Sequence, residues 1–429
     1  MPGRRYINTC VDSKSGPAED GVVQMTYPPE VEGFRADVRA WLEENLPTGW
    51  FDDDAEMTPA EHEAFRSTWT DKLYTAGWIC ASWPQEYGGR GLSPLENVVL
   101  NEEFARAHAP MRADWFGDTL VGPTILQWGT DAQKAEFIPR ILRGDITWCQ
   151  GFSEPDAGSD LASLRTRAVL DNGEWVIDGH KIWTTRADEA EYVFLLARTD
   201  PDASKHKGIS YLLVPMRQPG VEVRPIEQLD GAGDFCEVVF TGARAPEDCV
   251  VGGLNNGWKV AMTTLGFERG ASATTGHRRF EKELREIIAL AQERGLATDP
   301  VTRQRIAEQW TRVQIQRYHG LRTLADTVNG SKDAASLGLL NKMWWSETHR
   351  TTMDLMMDVL GPEGQILTGD ASGAEEWIPG IGMRQGRPGY PASVQQRKFL
   401  FSLSDTIGGG TAEIQRNIVA ERLLGLPRG

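Results

Sequence analysis

The sequence predicts an α+β protein, mostly α, in which a helical region, a small β-domain and a second helical region succeed one another along 429 residues. Two changes of hydrophobic period and one hairpin signal carry that prediction. Apolar residues recur at helical spacing from about residue 30, alternate at strand spacing beyond Trp148, and return to helical spacing after "GGLNNGW", residues 252–258. The expected divisions are a flexible extension over 1–29, helices over 30–147, a β-domain over 148–252 and helices over 253–429.

In the first region "EVEGFRADVRAWLEENLP" places Phe34, Val38, Trp41 and Leu42 on one helix face, and similar patterns recur around 61–78, 94–108 and 131–143. "PQEYGGRGLSP", residues 84–94, reads as a loop. In "TRAVLDNGEWVIDGHKIWTT" two alternating runs flank Asn172–Gly173, a hairpin cue because both residues tolerate positive φ. The runs "YVFLLAR", "ISYLLVP", "VEVRPI" and "CEVVF" read as further strands. Helical spacing then persists almost to the end, broken by residues 361–403, whose Gly, Pro and Arg content predicts an irregular loop.

Bulk properties exclude some functions. A net charge of −16 argues against nucleic-acid binding, which needs a Lys/Arg surplus to neutralise phosphates. Five dispersed cysteines without CxxC spacing indicate neither a disulfide framework nor a zinc site, and His180, His277 and His319 show no metal spacing. A cytoplasmic location is expected, with no signal peptide and no run of eighteen apolar residues. Cys10 reads as an incidental surface thiol. The stretch 384–398 carries Arg384, Arg387, Arg397 and Lys398 without an acidic residue and reads as a solvated or interface loop, or as a landing site for phosphates.

Four stretches carry chemistry: "WPQEYGGRGLS", "WCQGFSEPDAGSD", "GHKIWTT" and "GGGTAEIQRNIVAERLLG". In content, order and spacing they resemble the acyl-CoA dehydrogenase family, over roughly residues 30–427. The resemblance implies an N-terminal helical domain, a central β-domain and a C-terminal four-helix bundle. It also implies FAD as cofactor, an acyl-CoA substrate, a tetramer, and an electron-transfer flavoprotein as acceptor. Carried over by position, backbone groups of Gln150 and Phe152 would approach the flavin and Ser153 would hydrogen-bond it. Trp183 would pack beside the ring and Thr185 would bond near N5, although a strand tryptophan taken alone reads as core. Ser159 would lie near the thioester-bearing arm of CoA. Thr411 and Glu413 match positions that meet FAD, although Thr411 also reads as a helix cap. Asp358 stands where the family often has a Gln before a Leu-Gly-Gly, and in the pair that often clasps FAD across the subunit interface Arg294 is present but Ala297 replaces an expected Phe.

The implied reaction removes the α-proton to a carboxylate while the β-hydrogen leaves as hydride to flavin N5. A weakly acidic α-proton demands a base of raised pKa and donors for the enolate oxygen. Many members place that base at the position of Gly409, which cannot accept a proton. Its backbone N–H can still serve as oxyanion donor. A branch of the family carries the Glu on the first helix of the C-terminal bundle, one residue before an Arg, and "TLGFERG" puts Glu268 and Arg269 there. Trp258, Met262 and Leu265 share a helix face, so Glu268 would end an apolar stripe whose burial raises its pKa. Two other readings stay open: a non-catalytic or partner-dependent subunit of a heteromeric enzyme, and a flavin monooxygenase or oxidase on the same scaffold. A relocated base beside glycines suggests room for branched, long or polycyclic acyl groups.

Overall fold

The computed structural model describes residues 27–47, 59–107, 109–110, 112, 114–271, 276–331, 334–369, 371, 375–378, 382–385 and 387–427, and for 268–271, among others, the backbone alone. Cys10 and nearly all of the N-terminal extension lie outside the described residues. The chain opens with α1 (Pro29–Asn45), α2 (Pro59–Thr75) and α3 (Pro94–Arg106), the last started by a capping box between Ser93 and Glu96. A π-helical turn (Phe116–Val121) runs into α4 (Gly122–Trp128), and α5 (Asp131–Arg143) follows behind a Thr130–Gln133 capping box. The turn and α4 escaped the sequence reading.

Strands β1 (Trp148–Gly151), β2 (Arg167–Asp171), β3 (Glu174–Thr185), β4 (Tyr192–Arg198), β5 (Ile209–Pro215), β6 (Val221–Ile226), β7 (Phe235–Pro246) and β8 (Val250–Val251) form one sheet. Its order is β6-β7-β3-β2-β4-β5-β8, with β1 pairing in parallel with β4. Asn172 and Gly173, at φ 52° and 82°, close the β2–β3 hairpin where the sequence placed it. β4 is buried on both faces: Phe194 and Leu196 join the core of the N-terminal helices, while Val193, Leu195 and Ala197 join a core on the sheet's other side. That is why its sequence is an unbroken apolar run.

Helix α6 (Gly257–Ala271) returns to the first core through Val260 and Ala261. Next come α7 (His277–Glu293), α8 (Pro300–Val328) and α9 (Ala334–Leu360), where Leu284, Ile287 and Ala291 meet Leu355, Met356 and Val359. A two-stranded ribbon, β9 (Glu375–Ile378) with β10 (Gly382–Gln385), precedes α10 (Val394–Asp405) and α11 (Ala412–Ile418).

Two expectations need correction. Residues 361–403 are not one irregular loop: α10 begins at Val394, because Ser393 and Gln396 form a capping box amid the Gly, Pro and Arg residues that hid it. The stripe Trp258–Met262–Leu265 is not the buried face of α6. Val260, Ala261 and Thr264 are buried instead, Met262 is 37% exposed, and Trp258 and Leu265 are half-buried, because α6 turns its small residues inward against the sheet and α4.

Candidate active site

The site builds from the β1 exit and the end of β3. Beyond β1 the chain passes Phe152, whose ring packs edge-on to Phe194 and Tyr211, and reaches Ser153 and Glu154. The Ser153 carbonyl accepts from the Ile182 N–H at 3.0 Å, and the Phe152 carbonyl from Lys181 Nζ at 3.0 Å. Lys181, fully buried, also donates to Glu154 Oε1 at 2.8 Å, and the second carboxylate oxygen takes the Arg165 N–H at 2.7 Å. Burial raises Glu154, but the Lys181 ammonium and the N–H bonds overcome it and hold the carboxyl below its ordinary range. Burial pulls Lys181 down to about 8 against the attraction of Glu154. Both residues sit inside the quoted motifs, yet nothing in the sequence shows that they pair.

This clamp fixes a strained bulge. β3 and β7 lose register between Lys181 and Thr184, so Ile182 and Trp183 together oppose one residue of β7. Trp183 adopts φ 59°, a left-handed conformation costly for a bulky residue, and its side chain is 57% exposed beside Phe235 at 6.1 Å. It is therefore no core tryptophan within the protomer. Thr185 is half-buried and in register with Phe235, Gln150 and Ser153 are half-buried, and Ser159 is exposed. The fold thus brings Gln150, Phe152, Ser153, Trp183 and Thr185 onto neighbouring segments.

The second part lies in the bundle. Gly409 and Gly410 stand at φ 67° and 93°, which explains glycine at both. A Cβ on Gly410 would meet Gln415 Nε2 at 2.7 Å. Gln415 Nε2 in turn donates to the Gly409 carbonyl at 3.3 Å. Thr411 caps α11 by accepting the Ile414 N–H at 3.2 Å, while Glu413 is exposed and lies 3.6 Å from Arg416. Glu268 and Arg269 belong to α6 near its C-terminal end; their side chains, and so the expected burial of Glu268, lie outside the described residues. Asp358 pairs with Arg305 at 2.6 Å at the far end of α9, where Arg294 donates to the Leu360 carbonyl at 2.9 Å and pairs with Glu363. Arg294 and Asp358 thus share one end of the bundle.

The basic stretch is not open to phosphates at the positions described. Arg387 binds Asp188 and Glu189, Arg397 lies 3.8 Å from Asp230, and Lys398 lies 3.5 Å from Glu286, while the side chain of Arg384 lies outside the described residues. Tyr390 adds a hydrogen bond to Glu227 at 2.6 Å, so the segment straps the bundle to the β-domain. No helix among the described residues is long and apolar enough to cross a membrane.

Helices, a bulged sheet and a glycine-loop bundle follow one another in this order, and comparison with known proteins identifies the class of this scaffold as that of the acyl-CoA dehydrogenases. Models of the N-terminal, middle and C-terminal domains of acyl-CoA dehydrogenases match residues 19–145, 149–243 and 255–424. Acyl-CoA dehydrogenase IpdE1 of Mycobacterium tuberculosis is 43% identical over 93% of this chain and 98% of its own. The solved Tcur3481–Tcur3483 steroid ACAD is 32% identical, with a TM-score of 0.74 over 95% of this chain and 100% of that one. The ChsE4–ChsE5 complex of M. tuberculosis is 31% identical, with a TM-score of 0.72 over 95% and 100%. The chain belongs to the acyl-CoA dehydrogenase family and is an oxidoreductase.

Proposed function

We propose that this chain catalyses α,β-dehydrogenation of a bulky, polycyclic acyl-CoA thioester, with Glu268 as α-proton base and the Gly409 N–H as a donor to the thioester oxygen. The observation that carries the reading is the loop itself. Left-handed glycines at 409 and 410 put bare backbone where, by the family resemblance, many members carry a carboxylate at the first of these positions, which leaves room for a wide acyl group and demands a base from another element. Glu268 meets that demand from α6, with Arg269 and Ser159 meeting the CoA thioester. An N–H aimed at the enolate oxygen lowers the barrier because negative charge grows there as the proton leaves.

The exposed indole of Trp183, held at strained φ, fits a wall for a flat aromatic ring. Bound FAD supplies the acceptor for the hydrogen leaving the β-carbon. Gln150, Phe152, Ser153 and Trp183 would hold the ring side, with Thr185 beside it, and Thr411 and Glu413 would approach from the bundle. Asp358 would serve the adenine end. The likeness to a steroid ACAD supports the polycyclic substrate, and the likeness to two-chain complexes supports a heterotetramer over a homotetramer. An electron-transfer flavoprotein would reoxidise the enzyme. Four described cysteines, all free thiols, agree with a cytoplasmic setting.

Anaerobic mixing with ring-bearing and straight-chain acyl-CoAs tests the reading, with and without a coexpressed paralogous subunit. The holoenzyme should bleach fastest with ring-bearing thioesters. Glu268→Gln should keep its FAD and react at least about a hundredfold more slowly, about 3 kcal/mol of barrier. A variant as fast as wild type would move the base elsewhere. A flavin-loaded wild type that no thioester bleaches, alone or paired, would overturn the dehydrogenase activity.

A further inference from the structure

His349 is fully buried between carboxylates from two other helices. Its Nδ1 meets Asp405 Oδ2 on α10 at 2.5 Å, and its Nε2 meets Glu283 Oε2 on α7 at 3.3 Å. A neutral imidazole donates from one nitrogen only, so one carboxylate would then face a lone pair; the protonated ring keeps its N–H on Asp405 and turns a positive charge to Glu283, with Arg279 Nη2 3.5 Å from the same Nε2. Asp405 ends α10, three residues before Gly408. Its carbonyl accepts from Lys342 Nζ of α9 at 2.5 Å, so α9 grips both its side chain and its backbone. The chain beyond is closely tied: the Ile407 and Gly408 N–H groups both return to the Ser404 carbonyl at 2.9 Å, and the Ala412 N–H to the Thr406 carbonyl at 2.9 Å. Whatever holds Asp405 therefore sets where the glycine loop starts.

We infer that His349, hydrogen-bonded to Asp405 through Nδ1 and ion-paired with Glu283 through Nε2, clamps the end of α10 and is thereby a positioning residue for the Gly409 N–H, a role in catalysis that rests on the reaction proposed above. Arg279 and Glu283 on α7 and Asp405 on α10 face the ring, and behind them Lys398 of α10 lies 3.9 Å from Glu283 and Lys342 of α9 donates to the Asp405 carbonyl. Burial and the Arg279 charge push the imidazole's pKa down, but the bonds to Asp405 and Glu283 outweigh them and leave it above its ordinary value. The sign follows. The clamp is complete in acid, where the ring is protonated, and it loses its charge and the ion pair with Glu283 as pH rises through the elevated pKa, which leaves at most one N–H for Asp405. A network that only stabilised the bundle would leave the loop's local mobility and the alkaline pH profile untouched.

Hydrogen exchange of the full-length holoenzyme, read on residues 404–412 with β4 as control, separates the two. His349→Phe should exchange at least about tenfold faster over 404–412 with β4 unchanged, and His349→Gln, which keeps one donor, should fall between. kcat should drop at least about tenfold with KM within about threefold, since the N–H acts as charge develops. Wild-type kcat should fall at alkaline pH, and that limb should vanish in His349→Phe. If His349→Phe does not fold, His349→Gln and Asp405→Asn give the same reading. Wild-type protection over 404–412 in the variants, or an equal rise in β4, would overturn the clamp. An inactive wild type would defeat the proposed reaction alone, because the exchange measurement still decides whether His349 holds the loop.

Discussion

The wall around Trp183 and the loop around Gly409 are positioned by opposite means. The wall is held by a nearby ion pair, Glu154 with Lys181, 27 residues apart, which stabilises a strained and exposed tryptophan. The loop is relaxed, since glycine accepts positive φ freely, but it starts from Asp405, which binds His349 56 residues away. One part stores strain under a local clamp; the other has no strain and depends on distant charge. In the proposed reaction, a surface for a rigid aromatic ligand tolerates the first arrangement, whereas the Gly409 N–H, as a donor to developing charge, gains from a footing set by several helices.

The largest effect should come from breaking the local clamp. Lys181→Met leaves the buried Glu154 carboxylate without its cation, and chemical denaturation should show a loss of about 3–5 kcal/mol, much of it recovered when Glu154→Leu is added. Next comes the bundle. Burial opposes ionisation of Glu283, but Arg279 and His349 overcome it and hold the carboxyl at about 2. A depressed carboxylate contributes stability above its ordinary pKa and loses it as pH falls toward the folded value. Wild type should therefore weaken between about pH 4.5 and 2, by on the order of 3 kcal/mol, and Glu283→Gln should flatten that limb in acid-unfolding curves. The smallest effect should fall on Trp183. Trp183→Gly relieves positive φ while loosening the unfolded chain, so the apoprotein should keep its stability within about 1 kcal/mol by thermal melting. The absorbance maximum of the FAD-loaded variant should nevertheless shift from that of the loaded wild type. A loss above about 3 kcal/mol would make this tryptophan part of the core after all.

The same contrast explains what was legible in the sequence. Period changes gave the helix–sheet–helix order, and Asn172–Gly173 marked its hairpin, because those signals are local. The motif "GHKIWTT" pointed at Trp183, but its exposure follows from a register shift that needs β7 as partner. The network of His349, Glu283 and Asp405 left no local trace, since each member is an ordinary residue of its own helix. The stripe on α6 misled for a related reason: apolar spacing reports amphipathicity, and small residues won the packing against the sheet. Ser393 and Gln396 could have revealed α10 had the capping pair been weighed above composition.

The strap also constrains the order in which the protein can be made. Arg387 neutralises Asp188 across 199 residues of chain, so during synthesis the β-domain emerges long before its cation does. Until residue 387 leaves the ribosome, Arg186 is the cation beside Glu189, at 3.0 Å, and Asp234, at 4.0 Å, while Asp188 lacks the guanidinium that later binds both of its oxygens. Closing that contact is a late event of high contact order, which follows synthesis of every strand of the eight-stranded sheet.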